Sequence, residues 1–385
     1  MKNNFKCPRC GNDNPKYIGY RNGIPYCRFC ISLRGENAPN YKYSGNEAVL
    51  SLKYDLSSEQ KEISERIIFN FKRGYDTLIN AVCGAGKTEL VYGVIEYALK
   101  RKLSIGFAIP RRDVVIELED RIKSAFPNNT VTSVYGGHTQ ELSGDIVLLT
   151  THQLFRYDHY FDLIILDEID AFPYENNELL INMFHRSKKG VSILMSATPS
   201  YEILNEYSKE KHEILELNIR FHHKEIPIPK IVIRPNILKR LYLIEFLNRH
   251  IKNGKQIFVF TPTIYEAIAL FEFIKPIVKN GNVVHSKKED RNDIIYDFKN
   301  KKYDYLITTS VLERGVTVKD LQVIVFNADS CIFTSRTLIQ IAGRVGRKLG
   351  ASDGEIIFLG DKVSESMEKA QKTIRNKNKY LQNLL

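Results

Sequence analysis

The stretch TLINAVCGAGKTEL, residues 77–90, restricts the possible folds more than any other. An apolar run (Leu78, Ile79, Ala81, Val82) breaks into Gly84-Ala85-Gly86-Lys87-Thr88 and then into ELVYGVIEYALKRK, whose apolar residues recur at helical spacing. Strand, loop and helix in that order surround a phosphate: glycines let the main chain curve round the oxygens, and the helix N-terminus adds a favourable dipole. In such a loop Lys87 reaches the β- and γ-phosphates and the Thr88 hydroxyl ligates Mg²⁺, with Gly84, Ala85, Gly86 and the adjoining Glu89 completing the nucleotide cradle. The strict pattern begins with Gly; here Ala81 stands at that position.

A second run, DLIILDEID, drives Ile and Leu into three acidic side chains, Asp167, Glu168 and Asp170. Burying unpaired carboxylates costs several kcal/mol, so a positive partner is expected there. If the run is a buried parallel strand, Asp167 at its end holds Mg²⁺ beside the phosphate loop, and Lys87 adds the second positive charge. Glu168 is then placed to orient and deprotonate water, and Asp170 to pair with a basic group of another lobe.

Cys7 and Cys10 form one CxxC and Cys27 and Cys30 a second, with sixteen residues between the pairs. That spacing matches a four-thiolate zinc ribbon. Two disulfides or a redox pair are the alternatives; a reducing compartment disfavours the first, and the second needs no duplicate at ribbon spacing. Four protein ligands leave no open position, so the Zn²⁺ is expected to be structural. Through residue 40 seven Lys or Arg face Asp13 and Glu36, a surplus of five positive charges. Four thiolates and one Zn²⁺ reduce it to about three, which leaves a nucleic-acid or protein docking role open. Cys83 and Cys331 read as ordinary small apolar residues.

The whole chain carries 56 Lys and Arg against 45 Asp and Glu, a net charge of +11, which favours a polyanionic partner. No stretch approaches about 20 uninterrupted apolar residues and the start lacks the apolar centre of a signal peptide, so a cytoplasmic protein without a transmembrane segment is expected. Strand-like runs at SIGFAI, DIVLLT, LIILDE and SILMSA alternate with helical patterns, and after FHHKEIPIPK the alternation restarts with QIFVFT, NVVHS, YLITT, LQVIVF and GEIIFLG. The pattern predicts an α/β protein of two parallel-sheet lobes in tandem after a small zinc ribbon. We place the segments at 1–40 (zinc), 41–218 (first lobe) and 219–385 (second lobe).

Together, AVCGAGKT at 81–88, DEID, SAT at Ser196 to Thr198 and QIAGRVGR at Gln340 to Arg347 resemble the motifs of superfamily 2 helicases and translocases, in that order; Ala81 is common there. The resemblance covers residues 50–350. It implies two RecA-like lobes that bind ATP in their cleft and a nucleic-acid strand across their tops. It implies coupling roles for Asp170, Ser196, Thr198 and Gln340, and a segment around Arg314 and Gly315 that touches ATP. Arg344 and Arg347, three apart, are the arginines expected to neutralise charge on the γ-phosphate. Gln60 in LSSEQ resembles the residue that reads adenine through its amide. Strand-binding candidates carried over by position are Arg111, Arg112, Gly136, Gly137, Thr150, Thr151, Thr261, Thr263, Thr308 and Thr309, which would hold phosphates through hydroxyls and backbone amides; a lone Thr is more often a local cap.

The N-terminal four-Cys segment, GAGKTE, DEIDAFPY, SATPS and QIAGRVGR are together similar to the ComFA family of late competence proteins. That resemblance implies an ATP-dependent translocase of single-stranded DNA on the cytosolic side of the membrane, whose partners would include the membrane uptake channel and other competence proteins. Replication-restart or RNA helicases of the same superfamily, and an ATP-switched DNA-binding scaffold, are the alternatives. Intact Lys87, Glu168, Arg344 and Arg347 argue against the last.

Overall fold

The computed structural model describes residues 5–312, 318–347 and 354–382. They divide into two compact units, one of residues 1–81 and 86–217, the other of 82–85 and 218–385.

The first unit opens with an antiparallel hairpin, β1 (Ile18–Arg21) and β2 (Ile24–Cys27), turned by Asn22-Gly23 with both residues at positive φ. Helix α1 (Ser58–Arg73) starts with a capping box, Ser57 and Gln60 each bonding the other's backbone, and stops at Gly74 in the left-handed region. There follow β3 (Asp76–Ala81), α2 (Lys87–Leu90), α3 (Tyr92–Leu99), β4 (Ile105–Ile109), α4 (Arg112–Ala125), β5 (Val131–Val134) and β6 (Ile146–Thr150). The unit continues with β7 (Phe161–Leu166), α5 (Glu178–Ser187), β8 (Lys188–Ser196), α6 (Tyr201–Tyr207) and β9 (His212–Leu217).

Seven parallel strands lie in the order β5-β6-β4-β7-β8-β3-β9. Every residue of β4 and β6 is buried, which is why both read as continuous apolar runs: helices cover both faces. The four paired cysteines belong to this unit's apolar core. They pack in one cluster with Leu154, Phe155, Tyr157 and Phe184, and the Arg9 guanidinium stacks 4.3 Å from the Phe155 ring centre. Arg156 fastens the ribbon from the other side, donating to the Glu36 carbonyl at 2.6 Å while its own carbonyl accepts from Ala38 N–H at 2.9 Å.

The second unit comprises β10 (Lys230–Ile233), α7 (Asn236–Lys252), β11 (Ile257–Phe260), α8 (Ile264–Ile274), β12 (Gly281–Val284), α9 (Arg291–Lys299) and β13 (Tyr305–Thr308). It closes with β14 (Gln322–Phe326), α10 (Ser335–Ala342), β15 (Ile356–Gly360) and α11 (Glu365–Gln382). Its sheet is again parallel, in the order β10-β15-β14-β11-β13-β12, with Phe246, Leu247, Ile257, Val259, Ile307 and Ile324 at the centre of its core. The predicted two-lobe α/β architecture preceded by a four-Cys segment is the observed one.

Candidate functional site

Parallel α/β sheets place ligands beyond the carboxyl ends of their strands. In the first unit Arg111 follows β4, Thr150 ends β6, Asp167 follows β7, Ser196 ends β8, and β3 leads into the phosphate loop.

Gly86 caps α2 at φ 78°, a conformation that side chains rarely adopt. A Cβ there would also lie 2.5 Å from the Gln60 Nε2, so the loop and Gln60 are in close approach. Gln60 is only 5% exposed; its Oε1 accepts from Ser57 N–H at 3.0 Å, leaving Nε2 turned to the loop. Thr88 is buried, and Glu89 pairs with Arg121 at 2.8 Å. Val82–Ala85, which groups with the second unit, turns through an Ala85 N–H to Val82 carbonyl bond of 3.1 Å.

Asp167 is anchored by its N–H to the Ala108 carbonyl at 3.0 Å. Burial pushes its carboxyl up to about 6; Lys87 opposes the rise, and Glu168 and Asp170 add to it. Lys87 is thus a positive neighbour of this acidic cluster. Glu168 sits at φ 57°, with its N–H donating to Asp167 Oδ1 at 2.8 Å. Asp170, 8% exposed, accepts from the Ser196 hydroxyl at 2.9 Å and the Thr198 hydroxyl at 2.6 Å, and Thr198 N–H donates to Ser196 Oγ at 2.9 Å. Hydroxyls at the end of β8 and two residues beyond it thus bond Asp170 here.

In the second unit α10 ends in the turn carrying both candidate arginines. Arg344 is 2% exposed, and Arg347 Nε donates to the Gly343 carbonyl at 2.9 Å. Gln340 accepts from the Cys83 thiol at 3.0 Å, and a Cβ on Gly343 would lie 2.5 Å from Cys83 Cβ. Gly315, with Arg314, lies outside the described residues.

Sequence reasoning passed over Arg220. It is 1% exposed and donates to the carbonyls of Val345 and Gly346 at 2.8 Å each and of Gly343 at 3.4 Å, while His222 Nε2 bonds the Gly346 carbonyl at 2.9 Å. Burial, with Arg347 nearby, pulls its guanidinium down to about 10, so it stays charged at neutral pH. It sits in a segment that resembles a linker, and no local pattern marks it. Arg220→Ala would take the donor from the Val345 carbonyl and leave those of Gly343 and Gly346 to Arg347 and His222 alone, and about 1–3 kcal/mol of stability should be lost. Thermal unfolding checks this; an unchanged transition would show that the turn holds itself.

Of the strand-binding candidates, Arg111 precedes α4 in extended conformation, and the Arg112 guanidinium lies 4.8 Å over the Tyr135 ring, which stacks on His138. Gly136 and Gly137 between those rings are exposed, with open space where side chains would be. The threonines are more enclosed. Thr150, Thr151, Thr261, Thr308 and Thr309 are all buried. The Thr261 and Thr308 hydroxyls bond backbone carbonyls, and Thr263 caps α8 through Glu266 N–H at 3.1 Å. The hydroxyls of Thr261, Thr263 and Thr308 are thus taken up locally, while the buried Thr151 hydroxyl has no hydrogen-bond partner.

The four Sγ atoms of Cys7, Cys10, Cys27 and Cys30 lie within 4.8 Å of one another, with Cys7–Cys30 at 3.7 Å and Cys10–Cys27 at 3.6 Å. A tetrahedron with Zn–S bonds of about 2.3 Å has edges of roughly 3.8 Å, so the cage fits zinc. Burial pushes the Cys30 thiol up to about 12 and raises Cys10, whereas at Cys27 burial is outweighed by hydrogen bonds from the Cys30 backbone and the Cys10 thiol, which lower it.

Comparison with known proteins accords with this geometry. Residues 53–201 match the family described as type III restriction enzyme, res subunit, and residues 237–348 the helicase conserved C-terminal domain. The chain is 33% identical to Competence protein ComFA of Bacillus subtilis (strain 168), covering 98% of this chain and 86% of that protein. It is 30% identical to Competence protein ComFA of Streptococcus pneumoniae (strain ATCC BAA-255 / R6), covering 98% and 91%. Among solved structures, S. cerevisiae Dbp5 bound to RNA and ADP BeF3 superposes with a TM-score of 0.63 at 17% identity over 84% of this chain and 91% of that one. RecG bound to a three-way DNA junction gives 0.62 at 21% identity over 85% and 47%. These two show the fold.

Proposed function

The chain belongs to the ComFA family of competence proteins and is a helicase-like ATPase, and on that premise we propose that it is an ATP-driven translocase of single-stranded DNA serving DNA uptake. The observation that carries the catalytic half is the placement of Asp167 and Glu168 at the end of β7 with Lys87 as electrostatic neighbour.

In this reading Lys87 meets the β- and γ-phosphates, the amides of Gly84, Ala85, Gly86 and Glu89 line the nucleotide, and Gln60 reads adenine through the amide it turns to the loop. Thr88 and Asp167 would hold Mg²⁺, which supplies charge neutralisation at the phosphates when bound. Glu168 takes the proton from the attacking water. Arg344 and Arg347, with Gly315, act on the nucleotide from the second unit and supply the positive charge that makes closure productive. Gln340 and the Asp170–Ser196–Thr198 cluster tie nucleotide state to strand grip. Arg111, Arg112, Gly136 and the main chain at Thr150, Thr151, Thr261, Thr263, Thr308 and Thr309 hold phosphates, a contact that suits stepping along any sequence.

Among the described residues no helix is long and apolar enough to cross a membrane. Association with the uptake channel is accordingly assigned to partner proteins at the cytoplasmic face.

Steady-state ATP turnover at fixed moderate salt, without nucleic acid and with single-stranded DNA, duplex DNA or RNA, tests the proposal. Single-stranded DNA should stimulate most, and Lys87→Ala should abolish turnover under every condition. Stimulation chiefly by RNA would replace the uptake reading with an RNA helicase. Absence of turnover in the wild type would favour the switched scaffold.

A further inference from the structure

The zinc ribbon buries its cysteines against the first unit and turns one face of its hairpin outward. The antiparallel register pairs Gly19 with Tyr26 and Arg21 with Ile24. Side chains alternate along a strand, so these four residues share a face, and Arg28, two beyond Tyr26, follows on. Gly19 explains the shape of that face. A Cβ at Gly19 would lie 2.5 Å from Tyr26 Cζ and 2.8 Å from Arg28 Nε. The tyrosine ring therefore lies down across the neighbouring strand, with the Arg28 guanidinium 6.0 Å from its centre. Ile24 is 70% exposed, and Arg21 and Arg28 are exposed as well. Among the described residues neither guanidinium has a carboxylate within ion-pair distance, although the chain carries 45 acidic residues.

A partly buried aromatic ring lying flat, an adjacent branched apolar side chain and two arginines without a carboxylate partner match the chemistry of an unpaired base between phosphates. A protein partner of comparable chemistry would have to bring two carboxylates to one small aromatic platform. The ribbon's surplus of positive charge suits a continuous polyanion better.

We propose that the outward hairpin face of the zinc ribbon, formed by Gly19, Arg21, Ile24, Tyr26 and Arg28, is a second binding site for single-stranded DNA, separate from the contacts at the strand ends of the two sheets. The inference rests on the translocase reading. In this arrangement Tyr26 stacks on a base, Ile24 flanks it, and Arg21 and Arg28 hold the phosphates on either side.

The test uses the full chain and fluorescently labelled oligothymidylates of about 12 and 40 nucleotides, spanning one and several site sizes. Affinity is measured by anisotropy across a salt series, with zinc content determined for each variant. Arg21→Gln combined with Arg28→Gln should weaken binding of the long oligomer and reduce the logarithmic salt slope by about 1.4, two phosphates at roughly 0.7 each. Tyr26→Ala should weaken it roughly five- to hundredfold, and Tyr26→Phe should restore it. Turnover without DNA should be unchanged in all variants. Affinity and salt slope equal to wild type in the arginine pair, with zinc retained, overturns the proposal and points to a protein partner for this face. If Tyr26→Ala loses zinc, the exposed arginine pair alone decides. Failure of the wild type to bind either oligomer overturns the translocase reading instead, so the two failures are distinguishable.

Discussion

Replacing Glu168 by Gln should leave a protein that binds ATP and turns it over at least about a hundredfold more slowly, within the 10²–10⁴ range that a positioned general base contributes. The substitution keeps the side chain's size and shape and removes its negative charge, and with it the ability to take a proton. The backbone explains why this side chain is so placed. Glu168 is a non-glycine residue at φ 57°, a conformation that costs about 1–3 kcal/mol and persists only where surrounding bonds impose it. Those bonds are present: its N–H donates to Asp167 Oδ1 at 2.8 Å, and its carbonyl accepts from Ala171 N–H at 2.8 Å. Single-turnover hydrolysis, with nucleotide affinity measured in parallel, checks this. Turnover within a few-fold of wild type would remove Glu168 from the role of base.

Removal of zinc should be the largest stability effect. Structural zinc binding in small domains contributes about 10–16 kcal/mol, and here its ligands pack directly on Phe155 and Phe184 of the first unit. Losing even several kcal/mol at about 2–4 °C per kcal/mol lowers the midpoint of that unit by roughly ten degrees or more. Cys7→Ser with Cys10→Ser, or chelation, should therefore shift the first thermal transition and leave that of the second unit nearly in place. Calorimetry with metal analysis is the check. An unshifted first transition after zinc loss would mean that the ribbon contributes nothing to the core it touches.

How much of this was legible in the amino-acid sequence depended on how local the signal was. The phosphate loop, DEID and the buried strands announce themselves because glycine spacing, clustered acids and apolar runs are set within ten residues. Strand β9 was missed because HEILEL interleaves His212, Glu213 and Glu216 with its apolar positions, as befits an edge strand. Arg220 and Arg156 were missed for another reason: their carbonyl partners lie more than a hundred residues away in the chain. The threonine hydroxyls show a limit of motif reading. The position of Thr263 was legible, but the capping bond that occupies its hydroxyl emerged only with the helix it starts.

Asp170 is nearly buried and accepts from the hydroxyls of Ser196 and Thr198. Exposed arginines grip a polyanion by displacing counterions, and added salt reverses that directly. Mobile ions screen charges that face solvent and have little purchase on a buried carboxylate bonded to Ser196 and Thr198. In the proposed translocase, strand contacts and the link between the ends of β7 and β8 therefore have separate ionic-strength dependences: salt weakens the first well before it disturbs the second.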